Sequence, residues 1–147
     1  MQPLKKPTHI VIHHTERDLD FPEFIKLRHK HIRGWEDIGY HYLIGDNKNP
    51  HVTNGALYPG RSEKLQGSHV KDHNHYSIGI CLIGNLDKKP PTKEQIQTLI
   101  QFLKSKMKEH NIPSENIKGH NEFPGVTKTC PGKFVDMDKI RDMLNKE

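Results

Sequence analysis

The sequence predicts a single α/β domain in which a mixed central β-sheet is flanked by α-helices. The chain has 147 residues, which is the usual length of one domain. Short apolar segments rich in β-branched residues alternate with longer segments of helical periodicity, an order typical of α/β folds. We therefore expect one domain over residues 1–147, with residues 1–7 as a short N-terminal extension.

The strands are predicted from short apolar runs. Residues 8–14 have a β-branched centre, and residues 77–84 form the most apolar stretch, which predicts a central strand. Residues 39–45 predict a second strand, with residues 51–53 as its hairpin partner. Residues 118–120 predict a short last strand.

Three polar segments are predicted as connections between these elements. Residues 46–50 have the composition of a turn. Residues 56–74 and 120–134 contain glycine or proline at several positions, so we expect both to be irregular surface loops.

The first helix is predicted over residues 21–32. Asp20 is placed to cap it, and Pro22 suits its first turn. The residues at helical spacing are Phe21, Phe24, Ile25, Arg28 and Ile32.

Two further helices have clearer boundaries. Thr92 and Gln95 form the sequence pattern of a capping box, and Asn111 and Pro113 end the helix that follows. Asp136 is placed to cap a final short helix. The predicted apolar positions of these two helices are Ile96, Leu99, Ile100, Leu103, Met107, Ile140 and Leu144.

His13, His120 and Cys130 are candidate ligands of a metal ion. His13 and His120 lie at the ends of predicted strands, where sites in α/β folds are usually built. Two imidazoles and one thiolate suit Zn²⁺, and three protein ligands leave the fourth position open to water. His14 is an equal alternative to its neighbour, because only one of two adjacent strand residues can face the site. Cys81 lies inside an apolar strand and is expected to pack in the core.

Lys128 and Tyr40 are candidates for chemistry beside that metal. If residues 128–130 are extended, Lys128 and Cys130 project to the same side, where an ammonium group can stabilise an oxyanion. The alternative is a solvated loop lysine. Tyr40 lies in a predicted strand, where a tyrosine usually packs, but facing a metal its phenol could hydrogen-bond the attacking water.

Six ordered blocks of sequence resemble one known family. They are residues 12–15 (IHHT), 34–44 (GWEDIGYHYLI), 60–61 (GR), 67–69 (GSH), 74–84 (NHYSIGICLIG), and 119–122 (GHNE) followed by 128–131 (KTCP). In this order they resemble the zinc-dependent N-acetylmuramoyl-L-alanine amidases, a family that includes phage lysozyme-type amidases and the animal peptidoglycan recognition proteins. The resemblance extends from about residue 10 to residue 134, nearly the whole domain.

The resemblance implies a role for each candidate. His13, His120 and Cys130 match the zinc ligands of the family. Tyr40 matches its catalytic tyrosine, and Lys128 matches the catalytic lysine of the phage-type members. The family therefore implies Zn²⁺ as the cofactor of a single catalytic amidase domain.

Three further residues receive expectations from the same blocks. His69 matches a histidine near the substrate groove, and Asn74 is predicted with it to contact the substrate. Glu122, two residues after His120, is a rival general base. We prefer for Glu122 a structural role in fixing a nearby loop or helix end.

The activity that the resemblance implies is hydrolysis of one amide bond in peptidoglycan. The family cleaves the bond that joins the lactyl group of N-acetylmuramic acid to L-alanine of the stem peptide. Members that only recognise peptidoglycan lack the cysteine ligand, so the presence of Cys130 favours catalysis over binding alone. A phage or prophage endolysin is the expected role, with an exported toxin and a wall-recycling enzyme as open alternatives.

Charge and composition exclude other classes of protein. The formal net charge is +5, but Lys104, Lys106 and Lys108 are interpreted as the solvated face of an amphipathic helix, so no nucleic-acid partner is expected. No run approaches the roughly 18 apolar residues of a membrane span, so no membrane insertion is expected. Residues 1–7 have no apolar segment typical of a signal peptide. We expect a monomer that is made in the cytoplasm and acts on peptidoglycan or muropeptides after release.

Overall fold

The structure, a computed structural model, describes residues 1–146. Within them, strands and α-helices are interspersed along the chain, as expected for an α/β fold. In chain order they are β1 (His9–His14), α1 (Pro22–His31), β2 (Tyr42–Ile44), β3 (Leu57–Pro59), β4 (Ser77–Leu82), α2 (Lys93–His110), β5 (Ile117–Gly119) and α3 (Met137–Leu144). The alternation is not strict, because β2, β3 and β4 follow one another without an α-helix between them. In this described part of the chain, no helix combines the length and apolar character needed to cross a membrane.

The strands form one mixed sheet of order β3-β2-β4-β1-β5. β4 pairs with β1 and β2 in parallel, β1 pairs with β5 in parallel, and only the β2–β3 pair is antiparallel. Every residue of β4 is buried, because this strand has neighbours on both sides and covered faces. The predicted central strand and the mixed sheet are confirmed.

The hairpin partner of β2 lies further along the chain than predicted. Residues 51–53 do not pair with β2, whose partner is β3 at Leu57–Pro59 within the segment predicted as a loop. Asn49 explains the difference, since its Oδ1 accepts a hydrogen bond from the backbone N–H of His51 and turns the chain away from the sheet. β2 itself is shorter than predicted, because regular pairing starts at Tyr42.

The two faces of the sheet carry different side chains. One face packs against α2 and α3 in a large apolar cluster whose strand residues are Ile10, Ile12, Ile44, Ile78, Ile80 and Leu82. The opposite face carries Leu43 and Cys81 packed against Ile25 of α1, and beside them His13. Because side chains alternate along a strand, His13 and His14 of β1 project to opposite faces.

The helix boundaries confirm the predicted caps of α2 and α3. Thr92 and Gln95 form a capping box at the start of α2, and Asn111 ends that helix in the left-handed conformation. Gln95 is also buried, and its Nε2 donates to the carbonyl oxygens at the ends of two strands, which ties α2 to the sheet. Asp136 caps α3 by accepting a hydrogen bond from the backbone N–H of Lys139.

The prediction that Asp20 caps α1 is wrong. Its carboxylate is buried and instead receives two hydrogen bonds from Arg28, at 2.8 and 2.6 Å. The predicted apolar stripe of α1 is also only partly buried, since Ile25 is inaccessible whereas Phe24 and Ile32 are 42% and 78% exposed. The reason is that α1 contacts the sheet through a narrow stripe containing Ile25 and His29, one helical turn apart.

Candidate metal centre and substrate groove

The structure brings His13, His120 and Cys130 together. One nitrogen of each imidazole and Sγ of Cys130 lie within 4.8 Å of one another. His13 lies in β1, and His120 directly follows β5, the strand paired with β1. Neighbouring parallel strands therefore deliver the two imidazoles to one place, with ring centroids 4.8 Å apart.

Cys130 reaches the two histidines through a loop that is fixed at several points. The backbone N–H of Asn121 donates to the carbonyl oxygen of Cys130 at 2.8 Å, and Thr129 donates its hydroxyl to Asp87 at 2.8 Å. Gly132 has a φ of +120°, and a Cβ there would lie 2.6 Å from the backbone of Leu86. The loop can approach Leu86, in the segment that follows β4, this closely only with glycine at that position.

His14, the alternative ligand, does not face the cluster with its side chain. Its Nδ1 accepts a hydrogen bond from the backbone N–H of Leu86 at 3.1 Å, on the side of the sheet covered by α2. Its contribution comes from the backbone, because the N–H of His14 donates to Sγ of Cys130 at 3.4 Å. His13 is thus the member of the pair that presents its imidazole to Cys130.

The donor set and its spacing fit Zn²⁺. Nδ1 of His13 lies 3.7 Å from Sγ of Cys130. Tetrahedral zinc with ordinary Zn–N and Zn–S bond lengths places such a pair of ligand atoms about 3.6 Å apart. Cys81, the other cysteine, is buried in the cluster that packs under α1 and is not in the group of three.

Burial controls the protonation of these groups. It lowers the pKa of His13 well below its ordinary value, helped by neighbouring imidazoles, and it lowers the pKa of His120, helped by the charge of Lys128. Both imidazoles are therefore neutral near pH 7 and able to act as ligands. Burial raises the pKa of the Cys130 thiol to about 12, against the lowering effect of the His14 N–H, so metal binding must displace the thiol proton.

Tyr40 packs against His13, with ring centroids 5.2 Å apart. The segment that carries it is held by Gly39, whose backbone N–H donates to Nδ1 of the buried His29 at 2.9 Å. Burial raises the pKa of the Tyr40 hydroxyl well above its ordinary value, with the nearby Cys81 adding to the shift. The phenol therefore keeps its proton and can act only as a neutral hydrogen-bonding group.

A cavity of about 220 Å³ opens over the three candidate ligands. It continues into a larger groove of about 570 Å³, and the side chains shared by both include Arg33, Trp35, His69, His120 and Lys128. Lys128 is exposed and lines both spaces, and its role beside the candidate ligands stays a prediction. The larger space continues along Val70, Asn74, Val126 and Thr127, so it has both apolar and polar walls.

His69 and Asn74 line the groove, but their polar atoms have partners in the protein. Nδ1 of His69 lies 2.9 Å from Nε2 of His13, and its Nε2 lies 3.3 Å from Oγ of Ser77. Oδ1 of Asn74 accepts hydrogen bonds from the backbone N–H groups of His69 and Val70, both at 2.9 Å. Their role as substrate-binding residues stays a prediction.

Glu122 has the structural contacts that its preferred interpretation requires. Its carboxylate accepts a hydrogen bond from the backbone N–H of Gly119 at 2.8 Å and forms an ion pair with Arg141 at 2.8 Å. These contacts tie the segment around His120 to α3. Glu122 is not among the side chains that line the cavity over the three candidate ligands.

Trp35 is a groove residue to which the sequence interpretation gave no role. The guanidinium of Arg33 lies 5.2 Å from its ring centroid, and the ring of His29 meets it edge-on at 4.7 Å. Its indole lines both the cavity and the larger groove. The available signal was that the single tryptophan of the chain lies inside one of the two longest motif blocks.

Comparisons with known proteins agree with this arrangement. The sequence profile of the N-acetylmuramoyl-L-alanine amidase family matches residues 3–133. The endolysin of Escherichia phage T7 is 34% identical over 112 residues, which cover 73% of this chain and 66% of that protein. Peptidoglycan-recognition protein SD of Drosophila melanogaster is 34% identical over 102 residues, which cover 69% of this chain and 50% of that protein. The chain thus spans about two thirds of the length of the phage endolysin and half of the length of the recognition protein.

A solved structure extends the similarity to the whole fold. The N-acetylmuramoyl-L-alanine amidase LysC from Clostridium intestinale superposes with a TM-score of 0.83 at 30% sequence identity, covering 100% of this chain and 95% of that one. The resemblance and the fold class predicted from the sequence are confirmed. A family match over most of the length, joined to this superposition, establishes that the chain belongs to the N-acetylmuramoyl-L-alanine amidase family.

Proposed function

We propose that the chain is a zinc-dependent amidase that hydrolyses the bond between the lactyl group of N-acetylmuramic acid and L-alanine in peptidoglycan. The observation that carries this proposal is the cluster of His13, His120 and Cys130 at the floor of an open groove. Two nitrogens and one sulfur leave a coordination position free, which is the arrangement of catalytic rather than structural zinc sites. Family membership supplies the bond that is cleaved.

Cys130 distinguishes catalysis from recognition alone. Family members that only recognise peptidoglycan lack the cysteine ligand, whereas this chain has a cysteine whose Sγ lies 3.7 Å from Nδ1 of His13. The backbone N–H of His14 further stabilises the thiolate form that a metal site requires. The structure of the site therefore supports a hydrolase.

Zinc bound at this site would supply a coordinated water with a pKa of about 7 and would polarise the carbonyl oxygen of the scissile amide. The chain itself would supply the remaining groups. His13, which is buried, and His120, which is half-buried, are neutral and would hold the reaction centre below the groove. A fixed reaction centre keeps the reacting atoms oriented. In ideal cases such orientation lowers the activation barrier by about 7–11 kcal/mol.

Lys128 and Tyr40 would act on the charge that develops at the carbonyl oxygen. Both side chains line the cavity over the candidate ligands. The ammonium group of Lys128 stabilises the oxyanion electrostatically, and the phenol of Tyr40, which keeps its proton, donates a hydrogen bond to the same oxygen or orients the water. The ammonium group of Lys128 can also deliver a proton to the departing amine of L-alanine.

The groove would hold the substrate on both sides of the scissile bond. Its larger part has apolar walls at Val70 and Val126 and polar groups at Asn74 and Thr127. A glycopeptide presents the same mixture of apolar and hydrogen-bonding surface. The positive net charge of +5 adds long-range attraction to an anionic cell wall, which salt weakens.

The biological role that we propose is that of an endolysin. Relatives that carry this name come from Escherichia phage T7 and Klebsiella phage KP32. The proposal includes residues 1–147 as one catalytic domain, acting as a monomer on the cell wall after release, without a nucleic-acid partner. An exported toxin or a wall-recycling enzyme would share the site and would differ in the size of substrate that it accepts.

The experiment compares zinc-stripped and zinc-restored protein on two substrates. Intact sacculi and small soluble muropeptides are incubated with protein treated with a chelator, and then with the same protein after one equivalent of Zn²⁺ is returned. We expect no cleavage without zinc and recovery with it, with sacculi cleaved efficiently if the protein is an endolysin. Full activity of the stripped protein would contradict the proposal, and cleavage of soluble muropeptides alone would favour recycling.

A further inference from the structure

A series of hydrogen bonds starts at Nε2 of His13, the ring nitrogen on the side away from Cys130. Nε2 of His13 lies 2.9 Å from Nδ1 of His69, and Nε2 of His69 lies 3.3 Å from Oγ of Ser77. The hydroxyl of Ser77 in turn donates to the carbonyl oxygen of His73 at 2.7 Å. The side chains of His13, His69 and Ser77 are all buried.

Counting protons fixes the direction of every bond. The carbonyl oxygen of His73 can only accept, so the single proton of the Ser77 hydroxyl points to it. Ser77 must then accept from Nε2–H of His69, and the neutral His69 ring is left with a bare Nδ1. That nitrogen can only accept from Nε2–H of His13, which leaves the lone pair of His13 Nδ1 free. This is the nitrogen that lies 3.7 Å from Sγ of Cys130.

The ring of His69 occupies a space prepared for it by two glycines. A Cβ on Gly79 would lie 2.6 Å from Cγ of His69, and a Cβ on Gly67 would lie 2.6 Å from its Cδ2. The backbone of His69 is held as well, because Asn74 accepts a hydrogen bond from its N–H at 2.9 Å. The orientation of His69 is therefore fixed by packing and by backbone contacts independently of any substrate.

We propose that His69 is a positioning residue, which holds His13 in the tautomer with the proton on Nε2 and so presents the lone pair of Nδ1 to the metal. This rests on the proposed function, since it takes zinc as the ion. A partner that accepts the second N–H of a ligating histidine orients the ring and raises its basicity, and its loss typically costs about 10–100-fold in metal affinity. The same contacts leave neither ring nitrogen of His69 for the substrate.

Three variants separate this role from a substrate contact. His69→Leu fills the space without an acceptor, whereas His69→Asn returns an acceptor oxygen close to the position of Nδ1. Ser77→Ala removes the group that fixes the proton on Nε2 of His69. Thr127→Ala is the matched control, because Thr127 lines the same groove without contacting this series of hydrogen bonds.

The experiment measures zinc affinity by competition with a chromophoric chelator, together with the histidine ring ¹⁵N shifts of the zinc-free protein. We expect His69→Leu to weaken zinc binding about 10–100-fold, His69→Asn to recover most of the loss, and Thr127→Ala to bind zinc with the affinity of the parent protein. In the zinc-free parent protein, His13 should show the proton on Nε2, and His69→Leu should lose that preference. Ser77→Ala should shift both readouts in the same direction by less, and it replaces His69→Leu if that variant does not fold.

Two results would overturn the inference. One is a His69→Leu or Ser77→Ala variant that binds zinc as tightly as the parent and changes only KM, which is the behaviour of a substrate contact. The other is a His13 ring in the parent protein with its proton on Nδ1. Failure of the parent protein to bind zinc would contradict the proposed function instead, and the ring shifts of the zinc-free protein would still decide the role of His69.

Discussion

His14 and Cys130 lie 116 residues apart in the chain, and the backbone N–H of His14 donates a hydrogen bond to Sγ of Cys130 at 3.4 Å. β1 therefore serves the site twice, through the side chain of His13 and through the backbone of the next residue. The hydrogen bond lowers the pKa of the Cys130 thiol and so opposes the effect of burial, which raises it. The geometry of the three candidate ligands thus depends on the placement of β1 beside the loop that carries Cys130.

The first prediction concerns the candidate ligands. His13→Ala and Cys130→Ala should each lose bound zinc and amidase activity together, because two ligands hold the ion too weakly. His31→Ala, at an exposed histidine of α1, is the control and should keep both. We would measure the zinc content by elemental mass spectrometry and the activity by cleavage of purified muropeptide. A ligand variant that cleaves at the parental rate would show that the metal assignment is wrong.

The second prediction concerns Lys128. Lys128→Ala should retain zinc and lose about 10²–10³-fold in kcat, the usual cost of removing one group that stabilises an oxyanion. Lys108→Ala removes an equal charge from the exposed face of α2 and controls for attraction to the cell wall. Unchanged kcat on a soluble muropeptide would remove Lys128 from the mechanism.

The third prediction concerns the hydroxyl of Tyr40. Tyr40→Phe keeps the ring that packs on His13 and removes only the hydrogen-bonding group. We expect zinc affinity and thermal stability close to those of the parent protein, with kcat reduced by about 10²-fold. Steady-state kinetics across a range of pH provide the measurement. A parental kcat would mean that Tyr40 serves the site by packing alone.

The fourth prediction concerns Asp46, away from the site. Its side chain is 2% exposed, and neither carboxylate oxygen has a hydrogen-bond partner in the described part of the chain. Burial raises the pKa of Asp46 from 3.8 to about 6, so the folded protein favours the protonated form. As the pH rises from about 4 to about 6, the folded state loses stability relative to the unfolded state, whose carboxyl ionises freely.

Asp46→Asn should therefore raise the free energy of unfolding at pH 7 by about 1–3 kcal/mol and have little effect at pH 4. Urea unfolding at both pH values measures this difference. Asp142→Asn, at an exposed position of α3, is the control and should show no such dependence. A stability change that is equal at both pH values would show that the carboxyl of Asp46 ionises without penalty.

The fifth prediction concerns the ion pair of Arg28 and Asp20. Arg28→Met removes the guanidinium and leaves the buried carboxylate of Asp20 without its two hydrogen bonds. We expect a loss of about 3–5 kcal/mol in the free energy of unfolding, the usual cost of breaking a buried pair from one side. The double variant Arg28→Met with Asp20→Asn should recover part of it, because no unpaired charge remains. Equal losses in the single and double variants would contradict this explanation.

Much of the fold could be predicted from the sequence because its strongest signals are local. The apolar run of β4 and the capping box at Thr92 need no information from elsewhere in the chain. β3 was missed because its residues Leu57–Pro59 form an edge strand that is largely exposed and has little apolar alternation. Asp20 was misassigned because an acidic residue just before a helix is the usual pattern of a helix cap. Its actual partner, Arg28, lies eight residues further on, and no local pattern indicates that pairing.

The sequence indicated which residues form the candidate site, but not the contacts that orient them. His13, His120 and Cys130 were found from the chemistry of their side chains and from the resemblance, since their wide separation gives no motif. Side-chain chemistry alone left His13 and His14 as alternatives, and the resemblance favoured His13. The paired sheet shows which face of β1 meets Cys130. The contact between His13 and His69 joins positions 56 residues apart, which no local pattern reveals.

The most direct test of the central claim is mass spectrometry of the products formed from purified peptidoglycan by the zinc-loaded protein. We predict stem peptides with a free L-alanine amino group, together with glycan strands whose lactyl groups carry free carboxylates. Products cut within the glycan, or between amino acids of the stem peptide, would contradict it, as would a digest unchanged by fully zinc-loaded protein.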